Sequence, residues 1–182
     1  MFNEFEKFFN LSTEEDDPSA NGTLTLFRRK YNGMSLGDGI FRVFRDDDIE
    51  KWRQIITEAY PELVFCFEPF AYDWLGRCFA IDLRNGTRDN VFLIEIGTAD
   101  VLEIPLRFID FIENEIPLNH EACLATSFFG KWKKGNPNDL QHDKCAGYKI
   151  PLFLGGSDTI DNLELSDMEV YWYVCSAAKN RR

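Results

Sequence analysis

Phenylalanine content is the feature that most constrains this chain. Seventeen of its 182 residues are phenylalanine, and 15% of all residues are aromatic. Side chains of this size are stable in water only when they are buried together, and disordered chains are poor in them. A chain of this length is long enough to enclose such a core in one domain, with or without a small appendage. We therefore predict a folded protein with a dense aromatic core.

The charge balance is strongly acidic, since 20 basic and 31 acidic residues give a net charge of −11. Contacts to phosphates require Lys and Arg, so we expect no direct nucleic-acid binding. No segment approaches the roughly 18–20 consecutive apolar residues of a membrane span, and the acidic start MFNEFEKFF is unlike a secretory signal. We therefore expect no membrane association. An odd number of cysteines in a chain without a secretory signal predicts reduced thiols, and so a protein of the cytoplasm.

Residues 1–59 predict helices around a short β segment. Phe2, Phe5, Phe8 and Phe9 are spaced for one face of a helix, and residues 12–22 are polar and turn-rich, which predicts an exposed acidic loop. Residues 23–27 and 40–44 are expected to be strands. Three acids at 46–48 precede an apolar pattern that predicts a helix ending before Pro61.

The centre of the chain is predicted to be rich in β structure. Strands are expected at residues 63–67, 77–83, 90–96 and 101–104, with turns at residues 72–76 and at Asn85-Gly86. Pro105 is predicted to begin a helix that ends before Pro117.

In the last third of the chain, the segment from Asn119 predicts a further helix that buries Phe129 and Trp132, followed by a loop at residues 135–143. Residues 163–165 are expected to be extended, and the aromatic run at 171–173 fits either a helix or a strand. Together with the centre of the chain, this pattern predicts an α+β fold in one domain.

Two His-x-x-Cys pairs, His120 with Cys123 and His142 with Cys145, offer the nitrogen and sulfur ligands of a tetrahedral zinc ion. Their spacing is not typical of zinc sites, and a buried small cysteine beside a surface histidine explains the same residues. A zinc-binding domain or a metal-dependent enzyme is therefore kept only as an alternative. We expect no cofactor and no catalytic site.

Two acidic clusters favour a basic protein partner. Residues 150–175 contain no Lys or Arg. One cluster lies in this segment and consists of Asp158, Asp161 and Glu164. The other directly precedes the helix predicted after residue 48 and consists of Asp46, Asp47 and Asp48. Clustered carboxylates raise the association rate with a partner of opposite charge, although such runs are also common on simple solvated surfaces. Trp74, in a predicted turn, is either an exposed aromatic anchor of that interface or part of the core.

The chain resembles a family of bacterial immunity proteins. Residues 37–44, 72–82 and 95–98 resemble the GAD-like domain of these proteins, a relative of the SUKH superfamily. Residues 145–156 and 162–164 are similar to the C-terminal domain of type VI secretion immunity proteins that neutralise DNase effectors. The similar segments occur in the order found in the family.

The resemblance implies a non-enzymatic protein that binds and neutralises a secreted toxin in the cytoplasm. It implies a SUKH-like α+β fold with a central, mostly antiparallel sheet and flanking helices. The resemblance divides the chain into three parts. They are an N-terminal helix and acidic loop at residues 1–34, a GAD-like α+β unit at residues 35–135, and an immunity-protein C-terminal segment at residues 136–182 that packs on the same core. A housekeeping SUKH-type interaction scaffold is a further alternative. The toxin and the oligomeric state are left open.

The same resemblance suggests that the motifs shared in the family, at residues 73–77 and 154–156, form the scaffold rather than the interface. Partner-facing residues are expected to vary with the toxin, whereas turn glycines and the apolar residues beside them are needed for folding.

Overall fold

The computed structural model describes residues 1–12, 22–84 and 89–181. Within these ranges, no helix is long and apolar enough to cross a membrane. The strands are β1 (Ser35–Leu36), β2 (Phe41–Val43), β3 (Phe67–Asp73), β4 (Cys78–Asp82), β5 (Asn90–Glu95), β6 (Asp100–Arg107), β7 (Lys144–Tyr148) and β8 (Leu163–Asp167). The α-helices are α1 (Asn3–Phe8), α2 (Thr23–Tyr31), α3 (Ile49–Ala59), α4 (Phe108–Asp110), α5 (Ile116–Leu118), α6 (His120–Leu124), α7 (Thr126–Lys133) and α8 (Met168–Lys179).

Strands β1 to β6 form one antiparallel sheet in chain order. Each strand pairs with the next, so that Phe41 lies opposite Asp73 and Leu93 opposite Leu102. Strands β7 and β8 form a separate antiparallel pair. The predicted α+β fold with a central antiparallel sheet and flanking helices is confirmed.

The six-stranded sheet is buried on both faces, which explains the high phenylalanine content. Side chains alternate along a strand, so Phe79 faces one cluster while Cys78 and Ala80 face the other. The first cluster contains Phe2 and Phe27 together with the side chains of α4 to α7. The second cluster is formed against α3 and α8. Both clusters take residues from distant parts of the chain.

The N-terminal region differs from the prediction. Residues 23–27, expected to be a strand, belong to α2, which buries Leu26, Phe27 and Tyr31. Phe27 packs edge-on against Phe2, with ring centroids 5.5 Å apart. This packing between two sequence-distant aromatic residues selects the helix, because local propensity is a weaker determinant than burial. Most of the predicted acidic loop at 12–22 lies outside the described residues.

Both proline predictions at residues 105 and 117 were wrong. Pro105 lies within β6, an edge strand of the sheet, where the missing N–H of proline needs no partner. The helix begins at Phe108 instead and continues through a π-helical stretch, Phe111–Glu115, into α5, so Pro117 does not end it.

Other boundaries also changed. Of residues 63–67, predicted as a strand, only Phe67 is in a strand, as the first residue of β3. Leu63 ends a 3-10 turn (Pro61–Leu63), and a turn and a bend follow it. Strand β7 was not predicted, and the aromatic run at 171–173 is helical within α8. The predicted Asn85-Gly86 turn lies outside the described residues.

A buried cluster of charges connects the sheet to the rest of the chain. The Arg42 guanidinium donates hydrogen bonds to the backbone carbonyls of Asp73, Gln141 and Lys144 at 2.5–2.7 Å. Arg77 Nε donates to the Asp73 carboxylate at 2.6 Å and Arg77 Nη2 donates to the Cys123 carbonyl at 2.9 Å. Burial raises the pKa of Asp73, and the adjacent Arg77 opposes that shift. These bonds fix the end of β3 to α6 and to the segment before β7.

Replacing Arg77 by Leu is expected to lower the free energy of unfolding by about 3–5 kcal/mol, because it leaves the Asp73 carboxylate buried without its partner. The matched control is Arg107→Leu, which removes an ion pair with Asp89 whose two side chains are 64% and 38% exposed, and it should change stability by less than about 1 kcal/mol. Urea unfolding of both variants tests this. Equal effects would show that the buried pair has no special role.

Trp52 is expected to be a main anchor of the α3 layer. It is 6% exposed and packs against Phe44 and Trp172, with ring centroids 5.5 and 5.9 Å away. Trp52→Ala should lower the free energy of unfolding by about 3–5 kcal/mol, as for other large buried aromatics. Gln54→Ala, an exposed position on the same helix, is the control. Equal melting temperatures for Trp52→Ala and the wild type would contradict this packing.

Candidate protein-interaction surface

The first predicted acidic cluster lies at the start of α3. Asp46 and Asp47 are exposed in a 3-10 turn, and the backbone N–H of Asp46 donates to Asn32 at 2.9 Å. Asp48 forms an ion pair with Lys51 at 3.0 Å, and Lys51 also reaches Glu169 of α8 at 2.7 Å. The two carboxylates raise the pKa of Lys51. One lysine therefore links this cluster to the first turn of α8.

The second predicted cluster lies beside the β7–β8 pair. Asp158, Asp161 and Glu164 are all exposed. The Tyr148 hydroxyl donates to Asp158 at 2.7 Å, and burial together with this hydrogen bond raises the pKa of Tyr148. Glu164 lies on β8 opposite Gly147. These carboxylates are accessible to a partner, and Asp158 also holds the loop before β8 against β7.

The structure divides the acidic segment 150–175 between two places. Glu169 belongs with the first cluster, because it shares Lys51 with Asp48. Asp167 instead caps α8 by accepting the Val170 N–H at 3.1 Å and pairs with Lys144 of β7. By sequence alone, both acids would be grouped with Asp158. The grouping depends on the direction of β8, which carries the chain from one cluster to the other.

Trp74 is not an exposed anchor, and that prediction was wrong. Its side chain is fully buried, and its indole N–H donates to the Leu124 carbonyl at 2.9 Å. The ring packs against Phe129 and Trp132 of α7, with centroids 5.2 and 5.8 Å away. The turn folds the indole back onto the core because both its apolar surface and its N–H find partners there. The alternative, that Trp74 is a core residue, is the correct one.

Trp74 is flanked by Asp73 and Arg77, which are also buried. The motif at residues 73–77 therefore contributes to the scaffold and presents no large side chain to a partner.

The four residues of the zinc alternative all lie in the described part of the chain and form no group that could hold a metal ion. The histidines already have hydrogen-bond partners. His120 Nδ1 bonds to Thr126 Oγ1 at 2.8 Å, whereas His142 bonds to the Tyr72 hydroxyl through Nδ1 and to the Gly33 carbonyl through Nε2, the latter at 2.5 Å. Both ring nitrogens of His142 are thus already engaged. Burial lowers the pKa of His142, so the ring is neutral at pH 7.

The cysteines of the same alternative have different surroundings. Cys123 lies 3.9 Å from Glu115, and Cys145 is fully buried against Gly76. Burial raises the pKa of Cys123 to about 11 and that of Cys145 further, which disfavours the thiolate that a metal requires. Across residues 1–12, 22–84 and 89–181, no three His, Cys, Asp or Glu side chains are grouped to hold a metal ion.

Sequence reasoning missed a set of exposed apolar side chains near α3 and α8. Phe65 is 89% exposed and Tyr173 is 71% exposed, and Val64, Val170 and Val174 are also exposed. On α8 the helical spacing of the buried Tyr171, Trp172 and Cys175 would have placed residues 170, 173 and 174 outside. For Phe65 the sequence contains no such signal, because residues 63–67 resemble a buried strand.

Comparison with known proteins gives a match to a family model over part of the chain and a likeness to a solved structure. Residues 108–177 match the model of the T6SS immunity protein Tdi1, C-terminal. The crystal structure of Atu4351 from Agrobacterium tumefaciens superposes with a TM-score of 0.64 over 98% of this chain and 89% of that chain, at 17% identity. That likeness shows a shared fold. None of the curated protein sequences is significantly similar to this chain.

The matched region extends from α4 to α8 and includes the second acidic cluster. It does not include residues 37–98, so the resemblance of those residues to GAD-like domains stays a prediction. Over residues 108–177, the chain matches the C-terminal domain of a type VI secretion immunity protein, as the resemblance at residues 145–156 predicted.

Proposed function

We propose that this chain is a non-enzymatic immunity protein that binds and neutralises a cognate toxin delivered by a type VI secretion system. The observation that carries the proposal is the match of residues 108–177 to an immunity-protein family model. The producing cell must block the toxin before it reaches its target, so we place the protein in the cytoplasm, free of membranes. No cofactor is required, because inhibition by binding involves no chemistry.

The charge of the chain supports a basic toxin, such as a DNase. A protein that binds DNA needs Lys and Arg to contact phosphates, and this chain carries a net charge of −11. Exposed carboxylates at Asp46, Asp47, Asp161 and Glu164 offer that toxin a complementary surface. We propose that they accelerate association and that the bound protein covers the toxin's substrate groove.

Neutralisation in cells tests the proposal directly. We expect cells that produce the toxin encoded by the adjacent gene to survive only when this chain is also produced. The Arg77→Leu variant, whose fold should be weakened, is expected to protect less well at higher temperature. Survival of cells that make the toxin and lack this chain would contradict the proposal.

Charge reversal at Asp161 and Glu164 is expected to slow association with the toxin and to reduce its salt dependence, because both effects arise from long-range attraction. Asp158 is left unchanged because it accepts the Tyr148 hydroxyl. A second variant reverses Asp46 and Asp47. Association rates measured by surface plasmon resonance at low and high salt provide the test.

The control for this experiment reverses two acids elsewhere. Glu103 and Asp139 have side chains that are 67% and 81% exposed, and Glu103→Lys with Asp139→Lys changes the net charge equally. An equal slowing in the control would show that total charge, rather than the acidic clusters, sets the rate. No slowing in either cluster variant would show that these acids are only solvated.

A further inference from the structure

Exposed apolar side chains are concentrated on the outer surface of α3 and α8. These helices cover one face of the central sheet through Trp52, Ile56 and Trp172, which leaves their outer sides to solvent. The exposed apolar residues are Val170, Tyr173 and Val174 on α8, and Val64 and Phe65 in the turn that follows α3. Single exposed apolar residues are normal on proteins, whereas a group of them marks an interaction surface.

Two grooves give this surface its shape. One, of about 370 Å³, runs between α3 and α8 and is lined by Ile55, Glu58 and Tyr173 among others. The second, of about 290 Å³, lies on the other side of α3 and is lined by Glu58, Val64 and Phe65 among others. Glu58 lines both grooves, so they adjoin. We call this surface, from Phe65 across Glu58 to Tyr173, the α3–α8 face.

The backbone at Phe65 holds its ring in solvent. Phe65 has a φ of +59°, a left-handed conformation that is strained for a bulky residue. Hydrogen bonds on both sides maintain it, from Val64 N–H to the Pro61 carbonyl and from Cys66 N–H to the Leu63 carbonyl. With 89% of Phe65 exposed, burial within the chain does not offset the strain. Strain of this kind is typical of functional positions.

Acidic groups surround these apolar residues. Glu58 and Glu62 are exposed and form no ion pair with any described residue, while Glu50 and Glu169 are paired with Arg53 and Lys51. A partner that covers this face must therefore supply positive charge at its rim. A second copy of the chain supplies little, because the cations of this face, Lys51 and Arg53, are already paired within their own chain. A two-fold contact would also bring Glu58 and Glu62 of two strongly acidic molecules together.

We propose that the α3–α8 face is the surface on which the basic toxin docks, with Phe65 and Tyr173 as its apolar anchors. This inference rests on the proposed function and adds the location of the interface. Carboxylates at its rim contribute to the encounter, whereas the two aromatic rings slow dissociation once water is excluded from the grooves.

Alanine substitution of the anchors tests the proposal. With the toxin encoded by the adjacent gene as the probe, Phe65→Ala and Tyr173→Ala are each expected to weaken binding at least about tenfold, mainly through faster dissociation. The matched control is Leu118→Ala. Leu118 is 76% exposed on α5, which packs on the opposite face of the sheet, and its loss should change the dissociation constant less than about threefold.

A second variant separates binding from folding. Phe65→Gly removes the ring and also relieves the left-handed backbone, since glycine adopts a positive φ without strain. We expect its urea-unfolding midpoint to equal or exceed that of the wild type while binding falls as in Phe65→Ala. A parallel loss of stability and binding would show that Phe65 acts through the fold, which would overturn its role as an anchor.

The outcomes distinguish this inference from the function on which it rests. Normal toxin binding by the Phe65→Ala/Tyr173→Ala double variant would overturn the docking face and leave the immunity function intact. Absence of toxin binding by the wild-type chain would overturn both. Sedimentation that shows a dimer of the chain abolished by Phe65→Ala would also overturn the docking face, because it would assign that face to self-association.

Discussion

The buried contacts of Arg42, Asp73 and Arg77 are the interaction on which the rest of the structure depends. Arg42 holds the loop before β7 through two carbonyls, and Arg77 joins the end of β3 to α6. Charges removed from water need hydrogen-bond partners, and of the buried nitrogen and oxygen atoms of these three side chains only Arg42 Nε has none. These bonds therefore favour one arrangement of sheet, helices and C-terminal segment. The helices on the two faces of the central sheet and the aromatic core pack around these buried hydrogen bonds.

This network separates the scaffold of the molecule from its contact surface. The segment from Asp73 to Arg77 is buried, so its side chains contribute to folding. A partner can then bind only to the outer surfaces, where the acidic clusters and the α3–α8 face lie.

Elements governed by local pattern could be predicted, whereas those governed by distant contacts could not. The helix α3 and the strands β4 and β5 follow from apolar spacing in their own sequence. The helix α2 depends instead on Phe2, and the strand position of Pro105 depends on β6 lying at the sheet edge. The same distinction applies to the candidate interaction surface. Its acidic residues could be identified from composition. The burial of Trp74 could not, because it depends on α7, and the exposure of Phe65 depends on its backbone conformation.

We propose that this acidic chain acts by binding a basic toxin. The most direct test is recovery of the tagged protein from the cytoplasm of its own cells at low and high salt, with mass spectrometry of the proteins that remain bound. We expect one basic, nuclease-like protein that is retained at low salt and reduced at high salt. Recovery of the chain without any basic protein at low salt, from cells shown to contain the toxin, would contradict it.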